Sequence, residues 1–153
     1  MRELIAGFKF HADFALGRSL SILLAERLKG SWEAPLERPV LVPVPLHVGR
    51  LRGRGFNQSL LIAKVLAAEC DLPLATQHCR RLRATPSQRG LRAGERQLNL
   101  RDAFALAQPP QVFPHVVIVD DVVTTTSTVD ELAGLYRRAG SRRVDVACLA
   151  RVS

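Results

Sequence analysis

The sequence predicts an α/β fold built on an open, mostly parallel twisted sheet that is flanked by helices. Short apolar runs alternate with helical patterns along the 153 residues, and such alternation favours parallel strands joined by right-handed crossovers. The apolar run Val116–Val119 is followed by two aspartates, a series of hydroxyl residues and a helical pattern. In an open sheet of this kind the binding site lies beyond the carboxyl ends of the strands. The length predicts a single domain over residues 1–153.

The first half of the chain is predicted to contain two helices and a strand. Leucines at three- and four-residue spacing predict an amphipathic helix that Gly30 closes, and residues 30–39 are predicted to form a loop. A branched apolar run then predicts a buried strand, followed by an Arg- and Gly-rich loop and a second helical pattern. The predicted bounds are 14–29 for the first helix, 40–46 for the strand and 56–69 for the second helix.

The second half is predicted to alternate in the same way. A turn at 71–73 precedes a short strand at 74–78, and residues 80–98 lack periodicity and predict a long mobile loop, or flap. A helical turn is predicted over 99–106 and a buried strand over 116–119. A helix is predicted from Ser127 or Thr128 to Ala139, where Gly140 stops it, and a final strand over 144–149.

Composition excludes several classes of protein. Hydrophobic residues make up 47% of the chain and charged residues 24%, as in globular domains. No apolar run is long enough to span a bilayer, and MRELIAGFKF lacks the apolar core of a secretory signal, so we expect no membrane span and a cytoplasmic location. The three cysteines form no CxxC pair and indicate neither a disulfide framework nor a zinc knuckle.

The charge pattern predicts an anionic partner. The net charge is +8, and the basic residues are 19 Arg and 3 Lys. The planar guanidinium grips phosphate oxygens in pairs, so an excess of arginine suits phosphates. Two stretches, 50–54 and 80–101, hold ten of the arginines. A merely solvated surface is the alternative, and nucleic acid would be attracted weakly to the same charge, although an aromatic content of 5% offers little surface for base stacking.

The segment VVIVDDVVTTTST carries the most specific chemistry. Asp120 and Asp121 are delivered to the carboxyl edge of the sheet, where paired carboxylates can accept hydrogen bonds from vicinal sugar hydroxyls or hold a cation through water. The hydroxyl residues after them open a helix, whose free amides and dipole favour a phosphate. This spacing suits a ribose 5-phosphate. The hydroxyl residues are Thr124, Thr125, Thr126, Ser127 and Thr128.

A structural alternative is that the aspartates end a strand and the threonines cap an ordinary turn. Capping requires one hydroxyl rather than five in succession. The chain contains no GxxxxGK[ST] string and no GxGxxG after a strand, which argues against the common nucleotide-binding loops.

These residues resemble a known motif. VVIVDDVVTTTST is similar to the 5-phosphoribosyl-1-pyrophosphate (PRPP) motif of type I phosphoribosyltransferases. VPVPLHVGRLRGRGFNQSLLIAKVLA and RATPSQRGLRAGERQLNLRDAF resemble the competence protein F (ComF/GntX-like) branch of that superfamily. The resemblance covers nearly all of residues 4–152.

The resemblance implies a role for each motif. Asp120 and Asp121 would hold the ribose hydroxyls as catalytic residues, and Thr124–Thr128 would bind the 5-phosphate. The stretch 45–54 would be the pyrophosphate loop, and 80–98 a flap that closes over the site. Mg²⁺ would be held by the pyrophosphate and its waters, with no direct protein ligand. The implied pyrophosphate contacts are Leu46, His47, Arg50 and Arg54, and the implied flap residues are Arg89, Arg92 and Arg96.

The chain departs from the family pattern at two positions. Thr126 stands where the family usually has Gly, which implies an altered loop or a weaker phosphate site if the backbone there needs positive φ. Purine-salvage relatives have a basic Asp at the position of Thr124, and threonine cannot act as that base, which argues against hypoxanthine or guanine as the acceptor. The branch usually begins with a four-cysteine zinc ribbon, which this sequence lacks, so we expect a truncated chain or a late start.

Two functions follow from the resemblance, and the residues do not choose between them. One is a phosphoribosyltransferase that releases pyrophosphate and transfers the sugar to an acceptor that the sequence leaves open. The other is a non-catalytic PRPP-binding accessory protein of DNA uptake and competence. The sequence also leaves open whether the chain forms a homodimer.

Overall fold

The computed structural model describes residues 14–32, 38–83, 103–107, 112–124 and 126–151. Within these ranges the element order is helix, strand, two helices, three strands, helix and strand. The helices are α1 (Phe14–Leu28), α2 (Val48–Arg54), α3 (Gln58–Cys70) and α4 (Ser127–Arg138), and the strands are β1 (Val40–Pro43), β2 (Cys79–Arg81), β3 (Phe104–Leu106), β4 (His115–Val123) and β5 (Arg143–Arg151).

A three-stranded parallel sheet forms the centre of the described fold, in the order β1-β4-β5. Val40 pairs with Val116 on one side of β4, and Val116 pairs with Val144 on the other. A parallel bridge between Leu41 and Leu74 continues the sheet beyond β1, where the sequence predicted a short strand over 74–78. The α/β architecture with a parallel sheet is confirmed.

Both faces of the central strand are buried, which explains why its sequence is a continuous apolar run. Val117 and Val119 face a cluster supplied by α1 and α3, whereas Val116 and Ile118 face a cluster supplied by α4 and β3. All four valine and isoleucine side chains are fully buried. The sheet is therefore a middle layer, and its carboxyl edge is fixed by packing on both sides.

Helix ends follow the residues that the sequence supplies for them. Gly30, Gly55 and Gly140 have positive φ at or just after helix ends, at 85°, 81° and 109°. At Gly55 the backbone amide donates to the carbonyl of Leu51, 2.8 Å away, and closes α2. These left-handed residues let the chain turn without the steric penalty that a Cβ brings.

Several predicted elements are wrong. The strand expected over 74–78 is only a single bridge at Leu74, and the loop expected over 80–98 begins, in its described part, within the strand β2. The helical turn expected over 99–106 is, in its described part, the strand β3, which pairs antiparallel with β2 (Cys79 opposite Leu106). The Arg- and Gly-rich segment expected as a loop contains the helix α2 over Val48–Arg54. β3 is a strand because it pairs with β2, which is distant in sequence, and α2 is closed by a polar cap at His47. Apolar periodicity indicates neither of these features.

Candidate ribose-phosphate site

The acidic pair lies inside β4 rather than after it. The sequence predicted that the strand ends at Val119, but β4 continues to Val123, with Asp120 opposite Cys148 of β5. Asp121 is buried, with 8% of its surface exposed, and Asp120 is half-buried. The carboxylates are therefore held by a rigid strand close to its carboxyl end, instead of by a loop.

Asp120 has hydrogen bonds on its Oδ1 atom from two directions. The Ser59 hydroxyl donates to Oδ1 at 3.0 Å, and the backbone amide of Asp121 donates to the same atom at 2.9 Å. Burial, followed by the negative charge of Asp121, raises the pKa of Asp120 to about 7, and these hydrogen bonds oppose the rise. Ser59 is a site residue that the sequence reasoning missed, because nothing local distinguishes it from any other polar residue in the first turn of a helix.

Asp121 makes a local contact of its own. Its Oδ1 atom accepts a hydrogen bond from the backbone amide of Val122 at 2.8 Å. With Asp120 and Asp121 adjacent and both largely shielded from water, a hydrogen-bond donor or a cation at this edge would relieve their mutual repulsion. The arrangement is thus chemically ready for a polyol or a hydrated cation.

The hydroxyl-rich segment joins this acidic edge to α4. Thr124 follows β4 directly and is exposed, and Ser127 begins the helix. Thr126 is the N-cap residue with φ −72° and ψ −8°, and its side chain makes no capping hydrogen bond. The backbone there has no positive φ, so the threonine that replaces the family's usual glycine adopts an ordinary conformation. Thr125 lies outside the described residues, and Thr128 is half-buried in the first turn of α4.

The segment predicted to bind pyrophosphate leaves β1 next to the acidic pair. The amide of Val44 donates to the carbonyl of Val119 at 2.9 Å, so the chain that continues through Pro45 and Leu46 starts beside Asp120. His47 caps α2: its Nδ1 accepts a hydrogen bond from the amide of Gly49 at 3.1 Å. The segment is therefore held at both ends, by the sheet and by its own helix.

Arg50 and Arg54 both lie on α2, and Arg50 is exposed. Asn57 ties the next helix to the same place, because its Oδ1 accepts from the amide of Leu60 at 3.4 Å while its Nδ2 donates to the carbonyl of Val44 at 3.0 Å. The sequence left an N-cap role and a substrate contact equally open for Asn57; the structure shows the N-cap, with an additional bond to the end of β1 that the sequence did not predict. The three flap arginines, Arg89, Arg92 and Arg96, lie outside the described residues.

The described part of the chain contains no group of three or more His, Cys, Asp or Glu side chains placed to hold a metal ion. The acidic pair on β4 offers at most two carboxylates, which suits a cation that keeps most of its waters and shares a phosphate ligand. None of the helices in the described ranges is long and apolar enough to cross a bilayer.

Solved structures place this architecture in the phosphoribosyltransferase fold. The chain superposes on a hypoxanthine phosphoribosyltransferase of Trypanosoma cruzi with a TM-score of 0.56, at 14% identity, over 89% of this chain and 73% of the other. It also matches a structure described as the allosteric regulatory enzyme of purine biosynthesis with a TM-score of 0.53, at 20% identity, over 87% of this chain and 25% of the other. Identities this low establish the fold and nothing finer.

Curated sequences then narrow the class to one family. Competence protein F of Haemophilus influenzae is 38% identical over 97% of this chain and 66% of its own length. The DNA utilization protein YhgH of Escherichia coli K12 is 42% identical over 99% of this chain and 67% of its own length. No protein-family model matches the sequence. The chain belongs to the competence protein F/YhgH family, and it spans about two thirds of the length of these relatives, 66% in the case of competence protein F.

Proposed function

We propose that the protein binds PRPP at the carboxyl edge of its sheet and transfers the phosphoribosyl group to an acceptor, with release of pyrophosphate. The observation that carries the proposal is the placement of Asp120 and Asp121 on β4 with the amino end of α4 one short segment away. A ribose 5-phosphate needs two partners close to each other, acceptors for its hydroxyls and donors for its phosphate, and only residues 124–126 separate β4 from α4. The phosphoribosyltransferase fold supports the same assignment.

Each part of PRPP has a proposed partner. Asp120 and Asp121 accept hydrogen bonds from the 2′ and 3′ hydroxyls of the ribose. The residues Thr124–Thr128 receive the 5-phosphate through their hydroxyls and the free amides at the start of α4. The segment from Leu46 to Arg54, including His47 and Arg50, lies on the side of the pyrophosphate, since it leaves β1 beside Asp120.

The reaction that this arrangement supports is a displacement at C1 of the ribose. The bond from C1 to the pyrophosphate oxygen breaks, pyrophosphate leaves with the electron pair, and the acceptor forms the new bond to C1 and gives up its proton. Positive charge develops on the sugar during this step, and the carboxylates of β4 stabilise it. Because the pKa of Asp120 is raised by burial, its ionised form is favoured most once that positive charge is present.

The residues present fit a magnesium ion that is carried by the substrate. Asp120 and Asp121 would contact the ion through water, and Mg²⁺ would supply charge neutralisation for the leaving pyrophosphate. The arginines of α2 and of the predicted flap would share that neutralisation. No step of the proposal requires a cage of protein ligands.

The residue that follows β4, Thr124, limits which acceptor the site can use. Thr124 is exposed at the site, and its hydroxyl cannot remove a proton from a nucleobase at neutral pH. We therefore propose an acceptor that reaches the site already nucleophilic or that is deprotonated by solvent, rather than a 6-oxopurine.

A second candidate function is PRPP binding without transfer, in an accessory role in DNA uptake. It is favoured by the names of the relatives, which describe competence and DNA utilization rather than an enzyme. Both candidates require the same binding site, and they differ only in turnover.

Isothermal titration with PRPP and Mg²⁺ tests the binding site. We expect the parent protein to bind PRPP, and Asp121→Asn to bind it at least about tenfold more weakly, because a charged hydrogen bond of roughly 1.5–3 kcal/mol is lost. Asp71→Asn is the matched control: it removes the same charge from an exposed residue at the far end of α3 and keeps a left-handed cap that asparagine tolerates.

The outcomes separate the candidates. Absence of PRPP binding in the parent protein would reject both. Equal affinity of the parent and Asp121→Asn would reject the assignment of β4 as the ribose site. Where binding is present, release of pyrophosphate in the presence of a panel of amines and nucleobases supports the transferase, whereas binding without release supports the accessory role.

A further inference from the structure

Ser59 is a buried hydroxyl residue of α3 that contacts the acidic pair of β4. Only 5% of its surface is exposed, and its hydroxyl donates to Oδ1 of Asp120 at 3.0 Å. Neither the motifs nor the resemblance gives this residue a role. Burial leaves the hydroxyl little opportunity to bond water instead, so the contact with Asp120 is a fixed feature of the fold.

A closed set of hydrogen bonds places Ser59 relative to Asp120. The amide of Val44, just after β1, donates to the carbonyl of Val119 on β4 at 2.9 Å. The carbonyl of Val44 accepts from Nδ2 of Asn57, the N-cap of α3, at 3.0 Å. Ser59 lies two residues further along α3 and bonds Asp120, the residue that follows Val119. The amino end of α3 is therefore fixed to both strands, and the Ser59 hydroxyl cannot move away from Asp120 unless these bonds also break.

The hydrogen bonds divide the two oxygens of Asp120 between the protein and a ligand. The Ser59 hydroxyl and the amide of Asp121, which is 2.9 Å away, both donate to Oδ1. An unrestrained carboxylate rotates broadly about its last bond, and two donors on one oxygen restrict that rotation. Since both of these bonds end on Oδ1, a ribose hydroxyl would bond Oδ2.

We propose that Ser59 is a positioning residue of the ribose site: its hydroxyl holds Oδ1 of Asp120 and favours the ionised carboxylate, so that Oδ2 accepts a hydroxyl of the ribose. The inference rests on the proposed function and deepens it by naming a residue on which the ribose contact depends. A hydrogen bond to an ionised acceptor is stronger than one to a neutral acceptor, so the ribose is held best when Asp120 carries its charge.

The ionisation of Asp120 is sensitive to this hydroxyl. Burial, followed by the negative charge of Asp121, raises the pKa of Asp120 to about 7, while the hydrogen bonds from the Asp121 amide and from Ser59 lower it. The Cys148 thiol on β5 and Arg81 on β2 also interact electrostatically with Asp120. At neutral pH the carboxyl is therefore close to half ionised, and loss of the Ser59 bond shifts it toward its neutral form.

Ser59→Ala tests the role, and Ser21→Ala is its matched control. Ser21 is a second buried serine, 1% exposed, whose hydroxyl donates to the carbonyl of Gly17 within α1 at 2.7 Å. Both variants lose one buried hydroxyl and its hydrogen bond, but only Ser59→Ala changes the surroundings of Asp120. Carbon-13 NMR of the Asp120 carboxyl, titrated against pH, measures its pKa without a ligand. We expect this pKa to rise by about one in Ser59→Ala, the effect of losing one hydrogen bond to a charged group, and to stay unchanged in Ser21→Ala.

Isothermal titration with ribose 5-phosphate measures the consequence for binding. A rise of the pKa from about 7 to about 8 lowers the ionised fraction of Asp120 at pH about 7 from about one half to about one tenth. Ser59→Ala should therefore bind ribose 5-phosphate about fivefold more weakly at pH about 7 and should recover most of this loss at pH about 9, where the carboxyl is ionised in both proteins. Ser59→Thr keeps the hydroxyl and should restore both the pKa and the affinity, whereas Ser21→Ala should match the parent at both pH values.

An unchanged pKa of Asp120 in Ser59→Ala overturns the inference, and so does a loss of affinity that is equally large at pH about 7 and pH about 9, since a merely structural role would give that result. If Ser59→Thr does not fold, the comparison of Ser59→Ala with Ser21→Ala decides alone. Failure of the parent to bind both ribose 5-phosphate and PRPP rejects the proposed function, and the pKa of Asp120 in Ser59→Ala then still decides whether Ser59 controls the ionisation of this carboxylate.

Discussion

The chemistry of Asp120 depends strongly on its surroundings. Burial and the adjacent Asp121 raise its pKa from an ordinary 3.8 to about 7, so the folded protein binds this proton more tightly than the unfolded chain does. Its contribution to the free energy of unfolding is therefore largest at low pH and is lost as the pH rises from about 4 to about 7. The ionised carboxylate of Asp120 therefore lowers the stability of the fold at neutral pH.

Asp120→Asn is expected to remove this loss. At pH about 8 the variant should be more stable than the parent by on the order of 2 kcal/mol, and at pH about 4 the two should be similar, as measured by urea unfolding at both pH values. A variant that is less stable than the parent at pH about 8 would show that the carboxylate is stabilising in the fold.

Asp145 provides a control of opposite sign on the neighbouring strand. Burial would raise its pKa, but hydrogen bonds from His115 and Arg143, both at 2.9 Å, outweigh burial and lower it. A group whose pKa is lowered by folding stabilises the protein at pH values above its pKa in the unfolded chain, and this stabilisation is lost as the pH falls. Asp145→Asn should therefore be less stable than the parent at pH about 8, the reverse of Asp120→Asn.

Among the helices and strands, the sequence predicted the elements whose hydrophobic periodicity and end residues lie within their own segment of the chain. The helices α1, α3 and α4 were predicted close to their observed bounds, with Gly30 and Gly140 after α1 and α4, and the strand β4 was predicted but continues four residues further than expected. The helix α2 was not, because its cap is a histidine rather than one of the usual capping residues. The strand β3 was not, because three residues acquire strand geometry only through pairing with β2.

Asn57 gives a prediction at this scale, because it joins α3 to the end of β1 while it caps α3. Asn57→Ala loses both hydrogen bonds and should lower the free energy of unfolding by about 2 kcal/mol. Asn57→Asp keeps the cap acceptor but loses the donor to the carbonyl of Val44, and should lie between the parent and the alanine variant. Urea unfolding at neutral pH measures all three, and equal stabilities of the parent and Asn57→Asp would show that the bond to β1 contributes nothing.

At the scale of the whole molecule, the β2–β3 pair is held to the main sheet through an aromatic contact with α4. His78, just before β2, stacks on Tyr136 with ring centres 5.6 Å apart, and its Nδ1 lies 3.0 Å from the Tyr136 hydroxyl. The Phe113 ring also packs against the His78 ring, with the two ring centres 4.5 Å apart. The position of the β2–β3 pair relative to the main sheet depends on this docking.

Tyr136→Phe tests the docking because it keeps the ring and removes only the hydroxyl. Loss of a hydrogen bond of about 1 kcal/mol should make opening of the β2–β3 pair about fivefold more frequent. Cys79 of β2 is buried, and burial raises its pKa to about 12, so its labelling by a thiol reagent reports that opening. We expect Cys79 to label about fivefold faster and the half-buried Cys70 to label unchanged; an unaltered rate at Cys79 would show that the hydroxyl does not hold the pair in place.

The sequence by itself determined the α/β class, the acidic pair at the end of the central strand and the start of the helix after it, because these depend on residues adjacent in the chain. The relation of that pair to residues distant in sequence was decided only by the tertiary structure. Ser59 reaches Asp120 from α3 through the packing of α3 against the sheet, and the sequence pattern of α3 does not indicate this contact. Hydrophobic periodicity tells which face of an element is buried, whereas the polar partners at a sheet edge follow from how the elements are arranged around it.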